Sequence, residues 1–275
     1  MKTTAIYQTR GIHGATSTFV NISVIFLAFV PCRPGRLFAQ TPSPVNQSAP
    51  NQVGVPKPAA VPITGTWKYK SSAIDMLQKP NALGTFSVTT KDEGNAWTVT
   101  TAMSFPEGPV TDVLTIEKGT LILRKDSFDH FVHPDQRWKP VAIRLDFSDN
   151  QVTGTSTNAL GEVKPVTVSL RGPIFADASI SLVSIGCLPL ADGYSTTVRG
   201  WDVEHLKEQL WQLKVTGSER VTVSAGTFDT YKVELTLTDG SGDRQTAWIA
   251  KDSRIPVKIS SIDKLYGDVE TEMVR

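Results

Sequence analysis

The sequence is poor in the residues on which most catalytic and metal sites depend. It has two cysteines and four histidines in 275 residues. Cys32 lies in the N-terminal leader described below, so a processed chain would keep Cys187 alone and could form no internal disulfide. No nucleophile elbow, phosphate-binding glycine loop or H-E-x-x-H zinc spacing occurs. The sequence therefore predicts no catalytic residue, no cofactor and no metal, and we expect that the protein is not an enzyme.

An excess of charge of one sign is also missing. Lysine and arginine number 28 and the acidic residues 27, which gives a formal net charge of +1. The basic residues are scattered among acidic ones, so no long-range field would attract a polyanion. This argues against a nucleic-acid partner.

No apolar run is long enough to cross a bilayer comfortably. The longest comparable stretch, residues 19–30, follows basic residues near the N-terminus and is typical of a signal peptide. Residues 1–40 are therefore predicted to be a signal peptide or N-terminal anchor, and the protein to be exported to the periplasm or cell envelope. Three outcomes stay open: cleavage near Ala39, lipidation of Cys32, and an uncleaved anchor that would hold the domain close to a membrane.

The composition changes sharply after the leader. Residues 41–62 are rich in proline, glutamine, serine and asparagine. Such a segment cannot bury enough apolar surface to offset its conformational entropy, so we predict an extended, disordered linker. Residues 63–275 are predicted to form a single antiparallel β domain, for which this length is ordinary.

Apolar alternation is clearest between Glu219 and Ile262. Every second residue from Tyr231 to Leu237 is apolar, and turn-forming residues such as 239–243 separate the alternating runs. Phe228 falls on the other parity, which predicts a register change or bulge just after Gly226. Similar runs begin near Thr66, and the total of roughly a dozen strands requires a sheet that curls strongly or closes.

One apolar segment breaks this alternation. In residues 175–187, apolar and small side chains such as Leu182, Val183 and Gly186 recur at spacings of three and four, which favours a helix. The alternative is a continuous strand with Ile180, Leu182 and Ser184 on one face. The predicted fold class is therefore all-β, a strongly curled, half-barrel-like antiparallel sheet around a central helix that is buried on the concave face.

The C-terminal part resembles a known family. The matching residues are Glu219, Val221, Val223, Ala225, Gly226, Thr227, Phe228, Tyr231, Lys232, Val233, Trp248, Asp252, Pro256 and Val257. They correspond to the run E-x-V-x-V-P-A-G-T-F-x-x-Y/W-K-V and a later D-x-x-x-x-P-V in exported bacterial β-proteins of unknown function, with Ser224 in place of the family's proline. The resemblance implies a fold similar to half-barrel carriers of lipoproteins and lipids, with a concave apolar face.

Three polar features have catalytic or metal-binding alternatives, and we favour the plainer interpretation of each. The residues Asp126, Asp129, His130, His133 and Asp135 could supply zinc ligands but are more simply a solvated strand and loop. The group Glu204, His205 and Glu208 could exchange protons but is more simply a charged surface. Cys187 has the apolar neighbours Ile185, Leu188 and Leu190, which indicate a buried, inert thiol.

Two functions are compatible with these features. The first is an exported binding or carrier module for a lipid or other hydrophobic ligand, with Leu182, Val183, Trp211 and Trp248 as its predicted lining. The alternative is a non-enzymatic structural or accessory envelope protein whose interior is filled by side chains. A structure that shows where the apolar segment lies distinguishes them in part.

Overall fold

The computed structural model describes residues 53–74, 80–106, 108–175, 182–263 and 267–275. Within these ranges fourteen strands form a single antiparallel sheet. The strands are β1 Gly65–Ile74, β2 Pro80–Asp92, β3 Ala96–Phe105, β4 Gly108–Glu117, β5 Leu123–His130, β6 Pro140–Phe147, β7 Gln151–Asn158, β8 Val163–Ser169, β9 Ser195–Asp202, β10 Lys207–Val223, β11 Gly226–Leu237, β12 Arg244–Ala250, β13 Pro256–Asp263 and β14 Gly267–Val274. One helical turn, α1 Val183–Gly186, and a short 3-10 turn, Pro134–Gln136, complete the described elements. The predicted leader, 1–40, lies outside the described residues.

The sheet consists of two meanders that share a central ladder. Strands β1 to β8 run outward in sequence order, and β9 to β14 run back inward until β14 pairs with β1. The outermost strands, β8 and β9, do not pair with each other, so the sheet is not closed into a barrel. The predicted fold class, an all-β half-barrel-like antiparallel sheet, is confirmed.

One face of the sheet, which we call the inner face, carries the core. Side chains of strands far apart in the sheet, such as Val99, Phe128, Leu145, Val233 and Ala247, are each at most 3% exposed and belong to one apolar cluster. A flat sheet could not bring them into one cluster, so the sheet curls around this face. Burial of this apolar surface is the main contribution that holds the curl.

Residues 174–175 link the start of β5 to the edge strand β9, and we call this segment the seam. The Leu123 amide donates to the Ile174 carbonyl (2.9 Å), and the Phe175 amide donates to the Arg199 carbonyl (2.8 Å). Phe175 also forms an isolated antiparallel bridge with Ile122. The seam therefore ties the start of β5 to the edge strand β9 by backbone hydrogen bonds.

Among the described residues of the predicted central helix, only one turn is helical. Phe175 is held in the seam by strand-like pairing, and Leu182 has a left-handed backbone (φ 52°), so α1 begins only at Val183. Residues 176–181 lie outside the described residues. All four residues of α1 are buried. A methyl group on Gly186 would come within 3.6 Å of Cγ2 of Ile249, a core side chain, so α1 lies on the inner face as predicted.

Two details of the predicted chain path differ from the structure. The register change or bulge predicted just after Gly226 is absent from the β10–β11 ladder, whose register shift lies instead between Val215 and Gly217. Phe228 simply points to the face opposite Tyr231. The end of the predicted linker contacts the domain through its backbone. The amides of Ala59 and Ala60 both donate to the Cys187 carbonyl, at 2.8 and 3.0 Å. The end of the linker is thus held against the domain.

Candidate functional site

The four predicted lining residues do not form one surface. Leu182, Val183 and Trp211 are 0%, 5% and 6% exposed and belong to the core cluster. Trp248 is on the outer face, because its neighbours in β12, Ala247 and Ile249, carry the core. The structure therefore places three of the four within the core cluster, whereas the partly buried Trp248 packs against that cluster.

Trp248 has a structural role of its own on the outer face. It is paired with Lys232 on β11 and Lys258 on β13, and the two ammonium groups lie 5.6 and 5.5 Å from its ring. Its indole N–H donates to the Glu219 carboxylate. Such cation–π contacts are typical of an aromatic residue that covers a strand surface.

A row of cross-strand neighbours crosses the inner face of the N-terminal meander, and we call it the inner row. Its members are Tyr69, Phe86, Met103, Val110 and His130, paired in that order across β1 to β5. Tyr69 is buried, whereas the other four are half-buried. The rings of Tyr69 and Phe86 stack with 4.7 Å between centroids. The inner row is an apolar path that leads from the core towards solvent.

Two aromatic rings extend the inner row to the end of the sheet. Phe105 lies over Gly84 and Phe131 lies over Gly108, because a methyl group at either glycine would meet the ring within 3 Å. Glycine is thus required at both positions to admit a ring directly onto the backbone. Phe131 is 45% exposed. The C-terminal ends of β1, β3, β5 and β7 lie at this end of the sheet, which we call the rim.

The rim also carries apolar side chains that face solvent. Trp138, Leu160 and Val163 are 65%, 56% and 61% exposed. The loops that bear Trp138 and Leu160 are joined, because the Ala159 amide donates to the Arg137 carbonyl (3.1 Å). Large exposed apolar groups in one region are a feature of surfaces that contact a ligand, a membrane or a partner.

The suspected metal ligands are divided between two faces of β5. Asp126 and His130 belong to the inner face, whereas Asp129 forms an ion pair with Arg144 at 2.6 Å on the outer face. His133 contacts Asp135 in the following loop. Among the described residues no group of three or more histidine, cysteine or acidic side chains has the geometry to hold a metal ion.

The suspected acid–base group is also separated. His205 contacts Asp202, with 3.0 Å between Nδ1 and Oδ2, whereas Glu208 interacts with Arg171 and Arg199. Burial acts to raise the pKa of Glu208, but the hydrogen bonds from Arg171 and the charges of both arginines outweigh it and lower the pKa. Glu208 is therefore part of an ionic cluster with the two arginines.

Cys187 is buried as its neighbours predicted. It is 1% exposed, and burial raises the pKa of its thiol to about 12. A thiol that remains protonated at neutral pH is a poor nucleophile.

A family of proteins of unknown function, DUF3108, matches residues 69–274. The chain belongs to this family. A search of curated proteins found no match.

Solved structures are similar to this chain at very low sequence identity. A β-barrel-like protein of the DUF1849 family from Brucella abortus is 11% identical, with a TM-score of 0.52 over 78% of this chain and 98% of that one. The hypothetical lipoprotein YmcC of Escherichia coli is 9% identical, with a TM-score of 0.31 over 76% of this chain and 83% of that one. The first alone is similar enough to inform the fold, and it supports a curled, barrel-like sheet.

The described helices include none with the length and apolar character required to cross a membrane.

Proposed function

We propose that this DUF3108 protein is an exported envelope module that carries a lipid or another hydrophobic ligand on the inner face of its sheet. The observation that carries the proposal is the inner row, which runs without interruption from buried Tyr69 to half-buried His130. Apolar binding sites are usually concave and contain few polar groups. We further propose that the protein is not an enzyme.

The inner row is a better candidate for ligand contact than the predicted lining. Leu182, Val183 and Trp211 are at most 6% exposed, so a ligand could touch them only after core side chains move. Phe86, Met103 and Val110 already reach solvent. A ligand would therefore meet the inner row first, with Phe105 and Phe131 at the rim as its outermost contacts.

The exposed apolar groups at the rim fit the same function. A carrier has to exchange its cargo with a membrane or another protein, and Trp138, Leu160 and Val163 present apolar surface where the inner row opens. An envelope location follows from the apolar leader of the sequence, which is the ground for the proposed export.

A second function has its own support. The near-complete burial of Leu182, Val183 and Trp211 is also what a structural or accessory protein with a filled interior requires. In that case the inner row would pack against a partner or remain an ordinary sheet face.

The test is ligand binding to the full chain, purified through a C-terminal tag. Co-purified lipid is identified by mass spectrometry, and a fluorescent fatty acid is titrated. Met103→Lys places a charge in the inner row and should abolish binding. Ala102→Lys is the matched control, because Ala102 is the exposed neighbour on the outer face of the same strand.

Saturable binding that is lost in Met103→Lys and retained in Ala102→Lys supports the carrier. Absence of both bound lipid and saturable binding would leave the accessory role. Circular dichroism of each variant confirms that the sheet is intact.

A further inference from the structure

A buried asparagine fixes the turn between β7 and β8. Asn158 is 6% exposed, and its Oδ1 accepts hydrogen bonds from the amides of Leu160 and Glu162, both at 3.0 Å. Its Nδ2 donates to the Glu162 carboxylate (2.7 Å). The turn is thus held by its own hydrogen bonds, yet Leu160 and Val163, which lie on either side of Glu162, are more than half exposed.

The neighbouring loop, which bears Trp138, is held as well. The Lys139 amide donates to the Gln136 carbonyl (2.9 Å), so the chain turns tightly at Trp138. The bond from the Ala159 amide to the Arg137 carbonyl joins this loop to the β7–β8 turn. The result is one apolar surface, which we call the rim patch, and its members are Trp138, Leu160 and Val163.

The rim patch has the size and composition of a surface that enters a bilayer. Apolar groups that are held in water cost free energy, and such patches are typical of contact sites. A stable protein interface takes about 20–30 residues from each partner, whereas the rim patch consists of three side chains on two turns. Tryptophan is enriched at membrane–water interfaces, because its ring is apolar and its N–H is polar.

Three basic side chains surround the rim patch. Arg137 and Lys139 flank Trp138, and Lys164 follows Val163. Within the described part of the chain, none of these three cations forms an ion pair. Lysine and arginine side chains can lie along an apolar surface while their charged ends reach lipid phosphates. The charge of the surface therefore complements anionic lipid head groups.

The acidic residues of the two turns do not cancel this charge. Asp135 contacts His133, and the Glu162 carboxylate accepts the hydrogen bond from Asn158. Residues 131–140 and 158–165 contain no other acidic residue. Because the three cations outnumber the two acids, the local charge is positive although the whole chain is nearly neutral.

We propose that the rim patch and its three cations dock the protein onto a bilayer that contains anionic lipid. The three apolar side chains would enter the interface, and the cations would stay at the phosphates. This proposal goes beyond the carrier function and does not depend on it, because an accessory protein could use the same surface. In a carrier, docking would turn the open end of the inner row towards the lipid.

The first experiment detects insertion of Trp138. The full chain is mixed with vesicles of phosphatidylcholine, with or without phosphatidylglycerol, whose acyl chains carry bromine as a quencher of tryptophan fluorescence. Residues 1–62 contain no tryptophan, so insertion of the leader alone cannot produce quenching. We expect quenching in the phosphatidylglycerol vesicles.

Tryptophan variants assign the quenching to the rim. Trp138→Phe keeps an apolar ring, so it should still bind the vesicles but lose most of the quenching. Trp67→Phe is the control, because Trp67 lies near the start of β1, at the end of the sheet opposite the rim. Its quenching should match that of the wild type.

A matched pair of valines tests the apolar contact. Val163→Gln should lower the affinity for the phosphatidylglycerol vesicles by about 5- to 10-fold, since apolar surface is no longer transferred from water. Val61→Gln is the control, because Val61 is 66% exposed but precedes β1, at the opposite end of the sheet. Both variants carry the same leader, so the difference between them in cosedimentation reports on the rim.

A charge-matched pair of triple variants tests the cations. Replacement of Arg137, Lys139 and Lys164 by glutamine should weaken binding to the phosphatidylglycerol vesicles by about 5-fold per charge, because each basic residue near an anionic bilayer contributes about that factor. The control replaces three exposed lysines elsewhere on the sheet, and these are Lys68, Lys70 and Lys91. It removes the same net charge and should bind nearly as the wild type does.

The possible outcomes each decide the proposal. Equal quenching in the wild type and Trp138→Phe, equal affinity for neutral and anionic vesicles, or an anionic preference that persists in the rim triple variant would overturn it. Absence of vesicle binding would also overturn it and would leave a protein partner for the rim patch. The carrier function is tested separately: Met103→Lys should lose the ligand and dock normally, whereas Val163→Gln should keep the ligand.

Discussion

At the scale of single residues, Gly186 is the position where the helical turn meets the sheet most closely. A β-carbon there would lie 1.9 Å from the Arg254 carbonyl oxygen, a backbone atom that cannot rotate away. We expect Gly186→Ala to lower the free energy of unfolding by about 1–3 kcal/mol, as is usual for overpacking in a core. Urea denaturation measures this.

The control for this variant is Gly217→Ala. Gly217 lies at the bulge of β10 and has no atom within 4 Å of the added methyl group. Its effect should stay within about 0.5 kcal/mol. Equal effects at both positions would contradict the close contact between α1 and the turn at Arg254.

Because the thiol of Cys187 is buried, we expect the folded protein to lose stability at alkaline pH. Burial raises the pKa of its thiol to about 12 from an ordinary value of 9.0. Below pH 9 both states are protonated, and above pH 9 the unfolded chain loses the proton that the folded chain keeps. The free energy of unfolding should therefore fall between pH 9 and 12. Urea midpoints should show a weaker pH dependence in Cys187→Ala, and an identical slope would contradict the assignment.

Residue positions could be predicted where local neighbours decide them. Cys187 is flanked by apolar residues on both sides and is buried as expected. Trp248 could not be placed by its chemistry alone, because an aromatic ring suits either face of a strand. Its position between the core residues Ala247 and Ile249 gives it the opposite parity and would have assigned it to the outer face. The inner row could likewise have been predicted from the alternation in β2 to β5. Its members lie at the same alternating positions as the core residues of those strands.

At the scale of elements, α1 shows where periodicity fails. The segment 175–187 has helical spacing, but the seam engages the backbone of Phe175 in strand-like pairing, and of the described residues in this segment Val183–Gly186 alone are helical. Tertiary hydrogen bonds thus override the local pattern. Strand β5 lies at Leu123–His130, and its inner face includes Asp126 and His130 beside Phe128. Because polar residues occupy positions that face the core, such a strand does not show the usual alternation of apolar and polar residues.

The segment before β1 gives a prediction at this scale. The amides of Ala59 and Ala60 hold it to the carbonyl of Cys187, directly after α1. Ala60→Pro removes one donor. We expect a loss of about 1 kcal/mol in stability and faster proteolysis between residues 53 and 62, with the sheet intact. Lys57→Pro, at an exposed position of the same segment, is the control and should leave the rest of the segment protected.

At the scale of the whole molecule, the sequence predicts that the sheet curls, but it does not predict the order of the strands across the sheet. A dozen or more strands cannot remain a flat sheet, and the turns between successive strands predict two meanders. The ladder between β1 and β14 joins residues about 200 positions apart, such as Ser71 and Thr271, whose hydroxyls lie 2.8 Å apart. No local pattern encodes that pairing, because it is fixed by the shared core.

The shared core predicts that both meanders unfold together. Val99 on β3 and Leu235 on β11 are 1% and 0% exposed and lie in the same apolar cluster, although each belongs to a different meander. We expect one urea transition by far-UV circular dichroism and by tryptophan fluorescence, which reports on both halves. Val99→Ala and Leu235→Ala should each shift that whole transition, the leucine variant by about 2–5 kcal/mol. Two transitions, each moved by one variant alone, would show instead that the meanders are independent units joined only by the β1–β14 ladder and the seam.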